Sequence, residues 1–304
     1  MEVRPSERRW TSTGIDETAY EALAGGLPSS EVWSLLLDVM ARRAAGRTPA
    51  DLVRQWERDP FVQPAYVDQR TLVALQGHLL ASAHQFEAVE LSPLAPLGAC
   101  SAIGLASQNK IVSALRGTEV VSDPTNVFPL ECARRLRADP AQVVRLATCH
   151  RCVRAQQVPK QPGFAQHFLI FCLATAGREM QDHGLLVGAL AEHIAAHLAA
   201  LDRLEQHGYR FHDRRVRILA TAARAAVADR LAGAVTVPVQ REPLQHAYYG
   251  GLRFMIQVRT RDGADIPFVD GGTFDWVGKL AANHRLVYVA SGMGAQIAAF
   301  LFRA

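Results

Sequence analysis

A chain of 304 residues, 49% hydrophobic and 20% charged, holds enough apolar material for one large core with room for a small extra domain, and reads as a soluble globular protein. The net charge of +4 arises from 33 basic residues interleaved with 29 acidic ones, with no long basic run, so charge gives little support to a nucleic-acid partner. Residues 1 to 14 carry no apolar core of signal-peptide length and no apolar run is expected to span a membrane, which points to a cytoplasmic protein without membrane contact. Five cysteines, an odd number in a chain of this size, are expected to be free thiols.

Residues 1 to 14 are expected to fray, after which Asp16 caps a short helix stopped by Gly25 and Gly26. Ser29 or Ser30 caps a stronger helix, in which Val32, Leu35, Leu36, Val39 and Met40 recur at helical spacing as an apolar face, up to Gly46. Thr48-Pro49 opens another helix, and Pro60 and Pro64 set the boundary of a helical extension over residues 1–66. The main domain, 67–304, starts with an amphipathic helix from Asp68 to His84 and a strand from Phe86 to Leu91. Asp123-Pro124-Thr125-Asn126 is a turn and helix-cap signature leading into a helix from Val127 to Arg137.

The segment from Val144 to Gly177 reads as a long hairpin, broken at Gln161, Pro162 and Gly163, with its second strand from Phe164 to Leu173. Arg151 and Arg154 stand among its apolar residues, and a cation there needs an anionic partner. Arg178 to Gly208 is helical. His193 and His197, four apart beside Glu192, raise a metal reading that lacks an obvious third ligand. Arg217 to Ala223 fits a strand and Ala225 to Ala232 a helix, with short helix and strand both open across 209–245. Tyr248 and Tyr249 before paired glycines, and Gly271-Gly272 ahead of Asp275, mark places where flat walls and close backbone approach suit a ligand. Leu286 to Ala290 reads as a buried strand, and Gly292-Met293-Gly294 opens a closing helix. Cys149-His150-x-Cys152 raises a second metal reading, made awkward because residues 149 and 152 of a strand face opposite ways.

The hairpin wording His150-Arg151-Cys152-Val153-Arg154-Ala155-Gln156 resembles motif 2 of class II aminoacyl-tRNA synthetases, most closely the histidyl group. Arg116-Gly117-Thr118 to Asn126, Tyr248-Tyr249-Gly250-Gly251, Gly271-Gly272-Thr273-Phe274-Asp275 and the closing Gly292-Met293-Gly294 are similar to further segments of that group, and the helix and strand over 68–91 to its motif 1. The resemblance implies an α+β fold, an antiparallel sheet flanked by helices. It also implies a homodimer and a small-molecule pocket formed by Asp123, Thr125, Arg151, Arg154, Gln156, Tyr248, Tyr249, Gly271, Gly272 and Asp275. In the family, the glutamate matched by Asp123 contacts the substrate amine, and the arginine matched by Arg151 contacts the α-phosphate.

Several family residues are replaced. Val153 stands for the motif 2 glutamate, Ala295 or Gln296 for the motif 3 arginine, Leu244 for a further catalytic arginine, and Ile170 and Ala174 for polar residues of the histidine pocket. An alkyl group cannot offset phosphate charge as a guanidinium does. The chain ends at Ala304 where synthetases of this group continue into an anticodon-binding domain. The expectation is therefore a synthetase-like protein without tRNA aminoacylation, binding a small amino-acid or anionic ligand. It is expected to be regulatory, as is the regulatory subunit of ATP phosphoribosyltransferase beside its biosynthetic catalytic subunit. No catalytic residue and no metal ligand is assigned. The alternative is an ATP-dependent ligase adenylating an amino or carboxylic acid for a non-tRNA acceptor. It would need ATP and magnesium, with Arg253 or Lys279 replacing the motif 3 cation.

Overall fold

The computed structural model describes residues 14–104, 106–158, 164–245 and 248–303. The expected frayed tail, up to residue 13, and the hairpin break at Gln161, Pro162 and Gly163 lie outside the described residues. Eight strands form the main sheet, in the order β1-β5-β6-β11-β10-β9-β7-β8. They are β1 (Glu87–Ala88), β5 (Val144–Val153), β6 (His167–Arg178), β7 (His212–Ala220), β8 (Val239–Pro243), β9 (Leu252–Arg259), β10 (Asp265–Phe274) and β11 (Leu286–Met293). The interior pairs are antiparallel, as expected, whereas both edge strands, β1 on β5 and β8 on β7, pair parallel. A small sheet of β2 (Leu94–Pro96), β3 (Ser113–Ala114) and β4 (Thr118–Val120) stands apart.

Helices cover both faces. The alternation of apolar side chains along each strand supplies two cores, one per face. On one side lie α4 (Gln69–Ser82), α6 (Gly184–Glu205), α7 (Ala225–Ala234) and α9 (Ala295–Leu301), around Leu79, Leu190, Leu201, Phe254 and Phe302. On the other lie α5 (Pro124–Ala138), α8 (Trp276–Leu280) and the small sheet, around Phe128, Leu146, Cys172 and Tyr288. The segment Gln181–Glu205 is, against the sequence reading, long and apolar enough to span a bilayer by length and composition, but its buried side chains pack on the sheet.

The N-terminal extension contributes α1 (Glu17–Glu21), α2 (Ser29–Ala45) and α3 (Pro49–Arg58). Asp16 accepts from the Ala19 amide at 2.7 Å, and Thr48 with Asp51 forms a reciprocal capping box. Pro28, not a serine, occupies the cap of α2. The apolar face expected on α2 is not core: only Val32 is buried, while Leu35 and Met40 are 47% and 49% exposed. Helical periodicity records which residues share a face, and nothing in this chain covers that face among the described residues. Trp33 packs against Gly117, where Arg116 and Gly117 adopt left-handed backbone (φ 68° and 69°) to turn β3 into β4. The Gln63 carbonyl accepts from His167 Nε2 at 2.7 Å, fastening the end of the extension to β6.

Other boundaries move by a few residues. β6 begins at His167, where β5 pairs with it, and runs to Arg178, where β11 pairs with it. The strand expected over Phe86–Leu91 shrinks to two residues, and β11 continues through Gly292 and Met293 before α9 starts. Residues 209–245 form strand β7, helix α7 and the edge strand β8.

Candidate functional site

The site lies over and beyond the end of β11. β11 stops at Met293, opposite Phe171 of β6 and Val269 of β10, while β6 extends on to His167 and β10 to Asp265. At Gly294 the chain turns towards the helical layer, where Ala295, Ala298 and Phe302 join the core with α4 and α6. The space left there belongs to a cleft of about 820 Å³ that also runs over the end of β11, at Ala290 and Gly292, and beside Cys172 and Phe274. Phe168 and Ile170 line it from β6, Ile266 and Phe268 from β10, and Ile297 from α9. That volume lies towards the upper end of the range for pockets that take a drug-sized ligand.

The polar end of the cleft gathers Asp123, Thr125, Arg154, Tyr248, Tyr249, Asp270 and Gly271. Asp123 is the N-cap of α5: one oxygen accepts from the Thr125 amide at 3.0 Å and its hydroxyl at 2.8 Å. Its other oxygen accepts from Arg154 Nη2 at 3.1 Å, so capping and ion pairing fix the same carboxylate. Arg154 also donates through Nε to the Ser122 carbonyl at 2.9 Å and lies 5.0 Å over the Phe168 ring. Across the cleft Arg253 meets Asp270 in a bidentate pair, 2.8 and 2.7 Å, and stacks 5.1 Å over Tyr249. Burial, reinforced by Asp123, pushes the Tyr248 hydroxyl up to about 12, and burial with Asp270 raises Tyr249, so both act as neutral donors.

Of the residues singled out in the sequence, Asp123, Thr125, Arg154, Tyr248, Tyr249 and Gly271 come together in the cleft. Four stand elsewhere. Arg151 shares a strand face with Ala147 and Cys149, on the α4 and α6 side, and donates to His167 Nδ1 at 3.0 Å. This corrects its placement: residues an odd number apart in a strand face opposite ways, and only Arg154, just past the strand, reaches the cleft. Gln156 follows Ala155, whose amide is tied to the Lys110 carbonyl at 2.8 Å, and that bond leads the chain away. Gly272 supports the site from beneath: a Cβ there would sit 2.5 Å from both the Tyr249 ring and the Leu252 carbonyl. Asp275 lies on the surface at the start of α8, paired with Lys279 at 2.9 Å, which also takes Lys279 away from the cleft.

The reading by sequence missed Asp270 and the aromatic walls Phe168 and Phe274. Asp270 adjoins the paired glycines, and that adjacency was the available signal. The His193 and His197 pair is a packed hydrogen-bond network. Ser291 Oγ lies 2.8 Å from His193 Nδ1 and 2.9 Å from His197 Nε2, and His193 Nε2 lies 3.0 Å from Thr175 Oγ1. Both rings are fully buried, which drives His197 down to about 3 and His193 well below the usual range. Glu192 pairs with Arg145 at 2.8 Å instead of joining them. Cys149 and Cys152 belong to opposite cores, and all five cysteines are free and buried. Among the described residues no group of three or more His, Cys, Asp or Glu side chains could hold a metal ion.

No protein-family model and no curated protein matches the sequence. Solved structures do match in fold. An ATP phosphoribosyltransferase regulatory subunit/histidyl-tRNA synthetase from Bacillus halodurans superposes with a TM-score of 0.56 at 14% identity, covering 78% of this chain and 80% of that one. A histidine–tRNA ligase subunit from Alicyclobacillus acidocaldarius gives 0.58 at 14% identity, with 80% and 96% covered. Histidyl-tRNA synthetase of S. aureus gives 0.57 at 11% identity, with 78% and 68% covered. The chain has the fold of a class II synthetase-like core.

Proposed function

We propose that the protein is a synthetase-like ligand-binding protein that does not aminoacylate tRNA, and that its cleft holds a small amino-acid-like molecule in a regulatory role. One observation carries this reading: among the described residues the arginine that lines the cleft, Arg154, is paired with Asp123, and Arg253 behind the lining residue Asp270 is paired with that carboxylate. Among the described residues the cleft lining offers no unpaired guanidinium to a triphosphate, whose charge calls for several. A zwitterion suits such pairs, because its ammonium can join a carboxylate and its carboxylate an arginine without leaving net charge behind. An amino acid is therefore preferred over the anionic ligand that the sequence left open.

The Bacillus halodurans neighbour, an ATP phosphoribosyltransferase regulatory subunit/histidyl-tRNA synthetase, supports a regulatory reading by analogy of fold. A cytoplasmic homodimer with a protein partner such as a biosynthetic catalytic subunit belongs to the same proposal. The exposed face of α2 and α3, with Met40 and Trp56, suits such a partner. The test is pyrophosphate exchange with ATP, magnesium and each common amino acid in turn. The proposal expects none. Exchange with any one amino acid would put the ligase alternative in its place.

A further inference from the structure

The lining of the cleft is drawn from both cores. Tyr248, Tyr249 and Phe274 belong with the core on the α5 side, and Phe268, Ile297 and Leu301 with the core on the α9 side. A register shift between Pro267 and Val269 contributes to this: Phe268 and Val269, neighbours in sequence, both join the α9-side core. The charged lining residues Asp123, Arg154 and Asp270 form a head beside the two tyrosines.

Outside that head, the polar side chains of the described lining are engaged within the protein. The Thr125 hydroxyl donates to Asp123 at 2.8 Å. Ser291 Oγ is taken by His193 and His197, at 2.8 and 2.9 Å. The Thr260 hydroxyl donates to Asp262 on the exposed turn between β9 and β10. What remains for a ligand's side chain to meet is mostly carbon, from Phe168, Ile170, Ile266, Phe268, Ile297 and Leu301. A polar side chain laid against those walls leaves its donors and acceptors without partners, whereas an apolar one gains by leaving water.

Reach sets a lower limit on size. Phe268 follows Asp270 at two residues along β10, a distance of no more than about 7 Å. A leucine or phenylalanine side chain covers that span, and the methyl of alanine does not.

We propose that the ligand is an α-amino acid with a large apolar side chain, its ammonium and carboxylate held among Asp123, Asp270 and Arg154 and its side chain laid past the end of β11 against Ile170, Phe268 and Ile297. The inference rests on the amino-acid reading of the cleft and specifies which amino acids enter it. Histidine, whose ring nitrogens need hydrogen-bond partners, is selected against along with the other polar side chains.

Calorimetric titration of the full chain with leucine, phenylalanine, alanine, asparagine and histidine tests this. Asparagine is nearly isosteric with leucine, so that pair isolates polarity, and alanine isolates size. Leucine or phenylalanine should bind at least tenfold tighter than each of the other three. Alanine, asparagine or histidine binding as tightly as the better of the two would overturn the apolar side chain while leaving an amino-acid site intact. In the Ile297→Asn variant the ratio of leucine to asparagine affinity should fall at least threefold. Both affinities come from one protein, so a change in its folded fraction cancels from the ratio, and an unchanged ratio would overturn the placement of the side chain. Silence from every common amino acid would overturn the specificity and the amino-acid site together.

Discussion

Acid should destabilise this protein sooner than its carboxylates alone would require, because two neutral histidines are sealed in the core behind the cleft. His193 and His197 are wholly buried, with His197 held down to about 3 and His193 well below the usual range. In the unfolded chain each titrates near 6.5. Folded-state values lowered in this way mean that the unfolded state binds more protons once pH drops below about 6.5, so stability is complete above that value and declines below it. Between pH 7 and pH 5 each histidine contributes a loss of about 2 kcal/mol, so the pair removes about 4 kcal/mol, a large share of the 5–15 kcal/mol typical of a domain. His78 and His150, lowered chiefly by burial, act in the same direction. Carboxylates such as Glu131, lowered to about 2 by Arg134 and Arg135, stay ionised throughout that window and report only below it. Urea unfolding at half-unit steps from pH 7 to pH 5 measures the slope, and His197→Gln should reduce it by about 1.4 kcal/mol per pH unit. Equal stability at pH 7 and pH 5 would refute the reasoning.

Other changes follow from the same contacts. Gly272→Ala places a methyl 2.5 Å from the Tyr249 ring and the Leu252 carbonyl, and should cost about 1–3 kcal/mol in urea unfolding while weakening ligand binding. Arg154→Ala frees Asp123 of its cation and should weaken binding of an amino acid at least tenfold by calorimetry, whereas Arg151→Ala should leave that affinity unchanged because its side chain lies on the other face. Asp123→Ala removes the cap of α5 together with the ion pair, and should lower stability by about 1–2 kcal/mol as well as binding. Thr48→Ala breaks the capping box of α3 and should loosen only the extension, seen as faster amide exchange over Pro49–Arg58 with the sheet unaffected.

The hairpin, the α5 cap and the glycine pairs were legible in the sequence because each is a local rule with its own spacing. Asp123 reads as a cap from four residues, and that cap is what holds its carboxylate at the cleft. The phase of β5 was not legible in the same way. Arg151 and Arg154 lie three apart, so one of them had to face away, and the choice depends on pairing with β6, where Arg151 sits opposite the core residue Leu169. The edge strand β8 escaped for a related reason: Val239–Pro243 is short, polar and half exposed, and its parallel place beside β7 is a matter of tertiary contact. Least legible was the cleft, which gathers the start of α5, Tyr248 and Tyr249, and the ends of β6, β10 and β11, a relation among distant segments. The apolar face of α2 shows the converse limit. Its periodicity is real, but what covers a face is not written in the helix.

Calorimetric titration of the purified protein with ATP and magnesium, and separately with each common amino acid, addresses the central claim most directly. The self-neutralised arginines predict no heat from ATP and saturable heat from an amino acid, abolished in the Arg154→Ala variant. Tight binding of ATP by the wild-type chain, with amino acids silent, would contradict the account and return the cleft to a nucleotide.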